Sequence, residues 1–237
     1  MNDELSILLF SAISLGFLHT IVGPDHYLPF IAMSKACKWS KKKTLVITTL
    51  CGFGHVLSSV ILGIIGLSIG FSLNFLENID SLRGDIAAWA LISFGLLYMI
   101  WGVRYAFKKN REYHWHHTDS GKITLHSHAH TANHFHNFDE NSTPSLTPWL
   151  LFIIFVFGPC EVLIPLLIYP SLNIGINELF SVILVFGITT IVTMNIVVAI
   201  SMAGIEMIKS VRIEKYYHAM AGGVLLVSGI LIRFFGF

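Results

Sequence analysis

Six runs of apolar side chains, at about 5–33, 44–72, 86–107, 149–170, 178–206 and 216–236, leave this chain few ways to fold. Each reaches the roughly 20 residues that a helix needs to cross a bilayer. Backbone N–H and C=O groups meet no water in hydrocarbon, so such runs must satisfy them internally, as helix. Composition agrees, since 54% of the 237 residues are hydrophobic, only 12% are charged, and mean hydropathy is +0.70. A soluble domain carries about twice that share of charge. The predicted fold class is therefore an all-α polytopic membrane protein with six transmembrane helices. A net charge of +1 gives no basic signature for nucleic acid, and the expected partner is the lipid bilayer.

Orientation follows from the basic residues. Lys35, Lys38 and Lys41 to Lys43 separate the first two runs, Arg104, Lys108, Lys109, Arg111 and Lys122 the third and fourth, and Lys209, Arg212 and Lys215 the last two. Only Arg83 and Arg233 fall on the other side. The excess of Lys and Arg marks the cytoplasmic face, which places both termini outside a cell (inner) membrane. The N-terminus, Met1-Asn2-Asp3-Glu4, is acidic where a signal peptide would be basic. Cys37, Cys51 and Cys160 are too few and too scattered for a disulfide framework.

The chain divides into a first three-helix repeat at 1–107, a His-rich cytoplasmic loop at 108–147 and a second three-helix repeat at 148–237. At an offset of 135, Gly23-Pro24 falls on Gly158-Pro159, Asp25 on Cys160, His26 on Glu161, Gly52 on Gly187 and His55 on Thr190. Three crossings per copy put the second copy in the membrane upside down, a 3+3 inverted repeat. The loop holds His114, His116, His117, His126, His128, His130, His134 and His136 among Asn, Thr, Ser and Asp. No fixed fold is expected there, and its imidazoles suit a low-affinity metal buffer.

Helices one and four should be broken by proline. Pro24 offers no N–H to the carbonyl four residues back, and Pro29 repeats the break on the far side of Asp25-His26. Pro159 and Pro165 do the same around Cys160-Glu161. Non-helical backbone at membrane depth is tolerated where it is packed in protein or lines a wet cavity. The candidate substrate or ion site is therefore His19, Asp25, His26, His55, Cys160 and Glu161, with His19, Asp25, His26 and His55 as metal ligands. A lone histidine in a membrane helix more often bonds a neighbouring helix, but several beside helix breaks point to a site. Imidazole with carboxylate suits first-row cations such as nickel, cobalt or zinc.

The string His19-Thr-Ile-Val-Gly-Pro-Asp25-His26, with Gly54-His55 and Ser58 in the next run, resembles the nickel/cobalt transporter and efflux families and related urease-accessory-type membrane proteins. Five residues separate His19 from Asp25, one more than is usual there. The resemblance implies a secondary transporter of a divalent transition-metal cation, export favoured over uptake. It implies no enzymatic activity and no tightly bound cofactor, with a homo-oligomer as an open option. Gly158-Pro159-Cys160-Glu161-Val-Leu-Ile-Pro165 is similar instead to the Pro-Cys motifs of membrane thiol–disulfide electron carriers used in cytochrome c maturation. Those need a cysteine in each repeat, and the counterpart of Cys160 here is Asp25. A sulfite-like anion exporter of the same broad superfamily is the third reading.

Overall fold

Gly23 and Pro24 divide the first apolar run in the computed structural model. Helix α1 spans Asp3–Val22, Pro24–His26 form one 3-10 turn, and α2 spans Leu28–Ala36. Next come α3 (Lys41–Ile69), α4 (Leu73–Lys108), strands β1 (His114–His117) and β2 (Ile123–His126), and α5 (Leu146–Phe157). A short α6 at 163–167, α7 (Ile176–Glu206) and α8 (Tyr217–Phe235) complete the chain. The structure describes residues 3–70, 73–108, 114–117, 123–126, 146–158, 160, 162–167, 175–206 and 214–235.

Five helices are long and apolar enough to cross a membrane, namely α1, α3, α4, α7 and α8, and α5 is a shorter apolar one. The fourth expected crossing is thus interrupted among the described residues. Gly158 N–H reaches back only three residues, to Phe155 O at 3.1 Å, and helix resumes with Leu163 N–H on Cys160 O at 2.9 Å. The following proline has no N–H with which to continue α5. Outward faces carry large apolar side chains, such as Phe10, Leu97 and Ile200, each about 70% exposed. In water that surface would be untenable, and in lipid it is what a helix presents.

Pro29 does not act as expected. It lies in the first turn of α2, where its missing N–H is one that no helix uses. The break is confined to Gly23–Tyr27, and its carbonyls are largely occupied. His19 O accepts from Gly23 N–H at 3.0 Å, Gly23 O from His26 N–H at 3.1 Å, and Ile21 O from the Tyr27 hydroxyl at 3.3 Å. The expectation of open backbone oxygens around Asp25 is corrected accordingly.

Helix α4 lies along α8, α1 along α7, and α3 against both α5 and α7. One core cluster gathers α2, α3, α4, α5, α7 and α8 around Phe30, Met33, Cys51, Leu151, Phe155 and Leu225. A second gathers around Ala12, Val56, Cys160, Leu163, Val182 and Phe186. The His-rich insert is not wholly irregular, because β1 and β2 pair antiparallel with His114 opposite His126. That corrects the expectation of no fixed fold for His114, His116, His117 and His126. His128, His130, His134 and His136 lie outside the described residues.

Candidate functional site

Three elements converge where α1 breaks. His19 sits in the last turn of α1, Asp25 and His26 in the 3-10 turn, and His55 midway along α3. The ring centroids of His19 and His26 are 4.6 Å apart, those of His26 and His55 5.1 Å, and those of His19 and His55 6.2 Å. His26 and His55 are each only 2% exposed.

Hydrogen bonding sets which ring nitrogen faces inward. A carbonyl oxygen can only accept, so His26 Nδ1–H donates to Gly23 O at 3.2 Å and to the Asp25 carboxylate at 3.2 Å. His55 Nδ1–H donates likewise to Phe155 O at 3.2 Å. In each neutral ring the proton is on Nδ1 and the Nε2 lone pair points away from it. Both Nε2 atoms are buried and have no hydrogen-bond partner. Leaving such an atom unsatisfied costs about 1–3 kcal/mol each, so the arrangement is an expensive one for packing alone.

Cys160 enters from the opposite half, with its Sγ 3.9 Å from His19 Nε2 and its side chain fully buried. It lies between α5 and α6 and is itself outside any helix. The donor atoms of His19, His26 and His55 all lie within 4.8 Å of one another, close enough to share one metal ion. The structure thus brings together His19, Asp25, His26, His55 and Cys160. Glu161 lies outside the described residues. Cys51 packs in the other core cluster, and Cys37 ends α2, its Sγ 3.8 Å from the Tyr98 hydroxyl.

The sequence marks Arg83 only as one of two basic residues on the far side of the membrane, whereas the structure ties it to the site. Arg83 lies within α4, where Nη1 donates to Asp80 at 2.8 Å and Nη2 to Ser58 Oγ at 2.7 Å and Val156 O at 2.9 Å. A longer contact of 3.4 Å reaches Gly158 O. Ser58 in turn donates to His55 O at 2.8 Å. The guanidinium therefore occupies carbonyls that the end of α5 leaves open and connects them to the helix carrying His55. A signal existed in the sequence: Arg83 stands three residues after Asp80, the spacing of a helical ion pair, and is the one basic residue among the acids Glu77, Asp80 and Asp85.

Residues 29–231 match the family described as "cytochrome C biogenesis protein transmembrane region". No curated protein and no solved structure matches. The match overturns the resemblance to nickel/cobalt transporters drawn from His19, Asp25, His26 and His55, and with it the reading of the chain as a transporter of a divalent metal cation. Short His and Asp strings beside a Gly-Pro break occupy a few positions, whereas the match runs through most of the chain. It also establishes a multi-pass membrane protein, in keeping with the five long apolar helices.

Proposed function

Because the chain belongs to the family of cytochrome c biogenesis protein transmembrane regions, we propose that it is a membrane thiol–disulfide carrier whose reacting sulfur is that of Cys160. The observation that carries this reading is the pairing of Cys160 Sγ with His19 Nε2 at 3.9 Å, in a stretch of broken helix. A thiol is a poor nucleophile and a thiolate a good one, and an adjacent imidazole can take the proton.

The chemistry then balances as follows. Cys160 gives its proton to His19 Nε2, and the thiolate attacks one sulfur of a partner disulfide. The S–S bond breaks, the leaving thiolate recovers the proton from His19, and Cys160 is left in a mixed disulfide. A donor dithiol attacks the partner's sulfur, releases the Cys160 thiolate and then closes its own disulfide. Two electrons and two protons have passed from donor dithiol to partner disulfide. With no second cysteine at the site among the described residues, the chain acts as a monothiol relay. This departs from a carrier that stores the electron pair in its own disulfide.

The fold supports a six-crossing 3+3 inverted arrangement under the same reading. Exchanging the halves maps the α1–α7 contact onto the α5–α3 contact and the α4–α8 contact onto itself. Lys38 reaches Glu214 at 3.5 Å, which brings the connections after the first and fifth crossings to one end, and under this reading the excess of Lys and Arg there makes that end cytoplasmic.

The test is complementation of a strain unable to mature c-type cytochromes, with haem-stained cytochrome c as the readout. Cys160→Ser is expected to abolish maturation, Asp25→Asn to leave most of it, and wild type to yield a mixed disulfide on acid trapping. Full maturation by Cys160→Ser would refute the proposal.

A further inference from the structure

The thiol chemistry uses one face of His19 and leaves His26 and His55 without a task. Their geometry is nevertheless the more specific. Two buried rings are each locked by an Nδ1–H donor bond, one to Asp25 and Gly23 O and the other to Phe155 O, and both Nε2 lone pairs lack a partner. A neutral imidazole whose far nitrogen is held by a carboxylate or carbonyl is oriented and made more basic, which is how proteins prepare histidine for a cation. The third ring, His19, completes a set of donor atoms all within 4.8 Å of one another.

We infer that His19, His26 and His55 hold a resident borderline divalent cation of the zinc class, with Cys160 Sγ as the fourth donor. The inference goes beyond the thiol reading: it rests on His26 Nε2 and His55 Nε2, which that reading does not use, and it shares His19 and Cys160 Sγ with it. Nitrogen and sulfur donors select against magnesium and calcium, which take oxygen. Charge selects the divalent ion over a monovalent one. With Asp25 and Cys160 deprotonated the site carries two negative charges, which a divalent cation cancels. A monovalent ion would leave one charge in a medium that penalises it. Zn–N bonds of about 2.0–2.1 Å in a tetrahedron place nitrogens about 3.3 Å apart, so the widest pair must close by about 1.5 Å.

The consequence is a competition for one sulfur. A cation bound to Cys160 Sγ holds it as thiolate and blocks its attack on a disulfide, so metal occupancy would silence exchange without altering the fold.

The full chain, purified in detergent and given one equivalent of zinc, tests this by X-ray absorption. Expected are nitrogen scatterers at about 2.0–2.1 Å and one sulfur at about 2.3 Å. The sulfur identifies the site, because residues 108–147 contain eight histidines and no cysteine. Cys160→Ser should lose the sulfur shell and keep the nitrogens. His55→Gln, checked for folding by size-exclusion chromatography, removes a ligand and should weaken zinc binding by more than the about 10–100-fold that losing a ligand's supporting partner costs. Zinc should also slow alkylation of Cys160 in wild type and not in His55→Gln. A zinc spectrum without sulfur, or binding and protection unchanged in His55→Gln, would overturn the inference. Neither readout requires cytochrome maturation, so the relay and the metal site can fail separately.

Discussion

At Gly23 a hydrogen stands where a methyl group would meet His26 Nδ1 at 2.6 Å and Asp25 Oδ1 at 2.9 Å. The bend that presents His26 to His55 therefore depends on the absence of a side chain one position before Pro24. Gly23→Ala should tilt the His26 ring out of its bond to Asp25 and cost about 1–3 kcal/mol, read as a lower midpoint of thermal unfolding in detergent. An unchanged midpoint would mean that the turn relaxes freely. His19, Asp25, His26, His55 and Cys160 were all singled out from residue type and proximity to Gly-Pro. What residue type did not reveal is which nitrogen of each ring faces inward. That is decided by Gly23 O and Phe155 O, backbone atoms that carry no mark in the sequence. Nor does residue type reveal that the Tyr98 hydroxyl lies 2.8 Å from His218 Nδ1, a contact across 120 positions.

Among the elements, α4 and α8 approach more closely than side chains would normally allow. A Cβ at Gly95 would strike the backbone of Leu226, and one at Gly222 the backbone of Met99. Seven residues farther along each helix, Gly102 faces Ala219 and Gly229 faces Ala88 and Ile92. Lipid gives helices no hydrophobic reason to associate, so close backbone packing through small residues takes over. Gly222→Leu should force the pair apart and cost about 1–3 kcal/mol or more, measured by unfolding in mixed detergent micelles. Met220→Leu, at a position 53% exposed, is the control expected to change little. Apolar run lengths located α3, α7 and α8 well, while the run at 5–33 takes in α1, the 3-10 turn and most of α2 together. They missed the start of α4, which lies 13 residues before the apolar run at 86, because the Asp80–Arg83 pair makes a polar stretch compatible with buried helix. They also merged α5 and α6, since hydropathy does not register a break of backbone hydrogen bonding.

Across the whole molecule, Arg83 joins what the chain keeps far apart. It links α4 and α3 of the first half to the end of α5 in the second, through Asp80, Ser58 and Val156 O. Asp80 is 1% exposed and the Arg83 side chain 15%, so solvent does little to replace these bonds. Arg83→Ala should therefore destabilise the fold by about 3–5 kcal/mol. It should also loosen the 158–167 segment, seen as faster hydrogen exchange there and faster alkylation of Cys160. Faster exchange confined to α4 would show instead that the guanidinium serves its own helix alone. The sequence by itself determined the membrane class, the broken first helix and the residues able to do chemistry, because lipid forbids unsatisfied backbone and leaves buried ionisable groups few excuses. Only the tertiary structure decided that His19, His26, His55 and Cys160 share one buried point, and which of their atoms face it. Those contacts span up to 141 positions, and they follow from helix packing and helix ends, which no local pattern encodes.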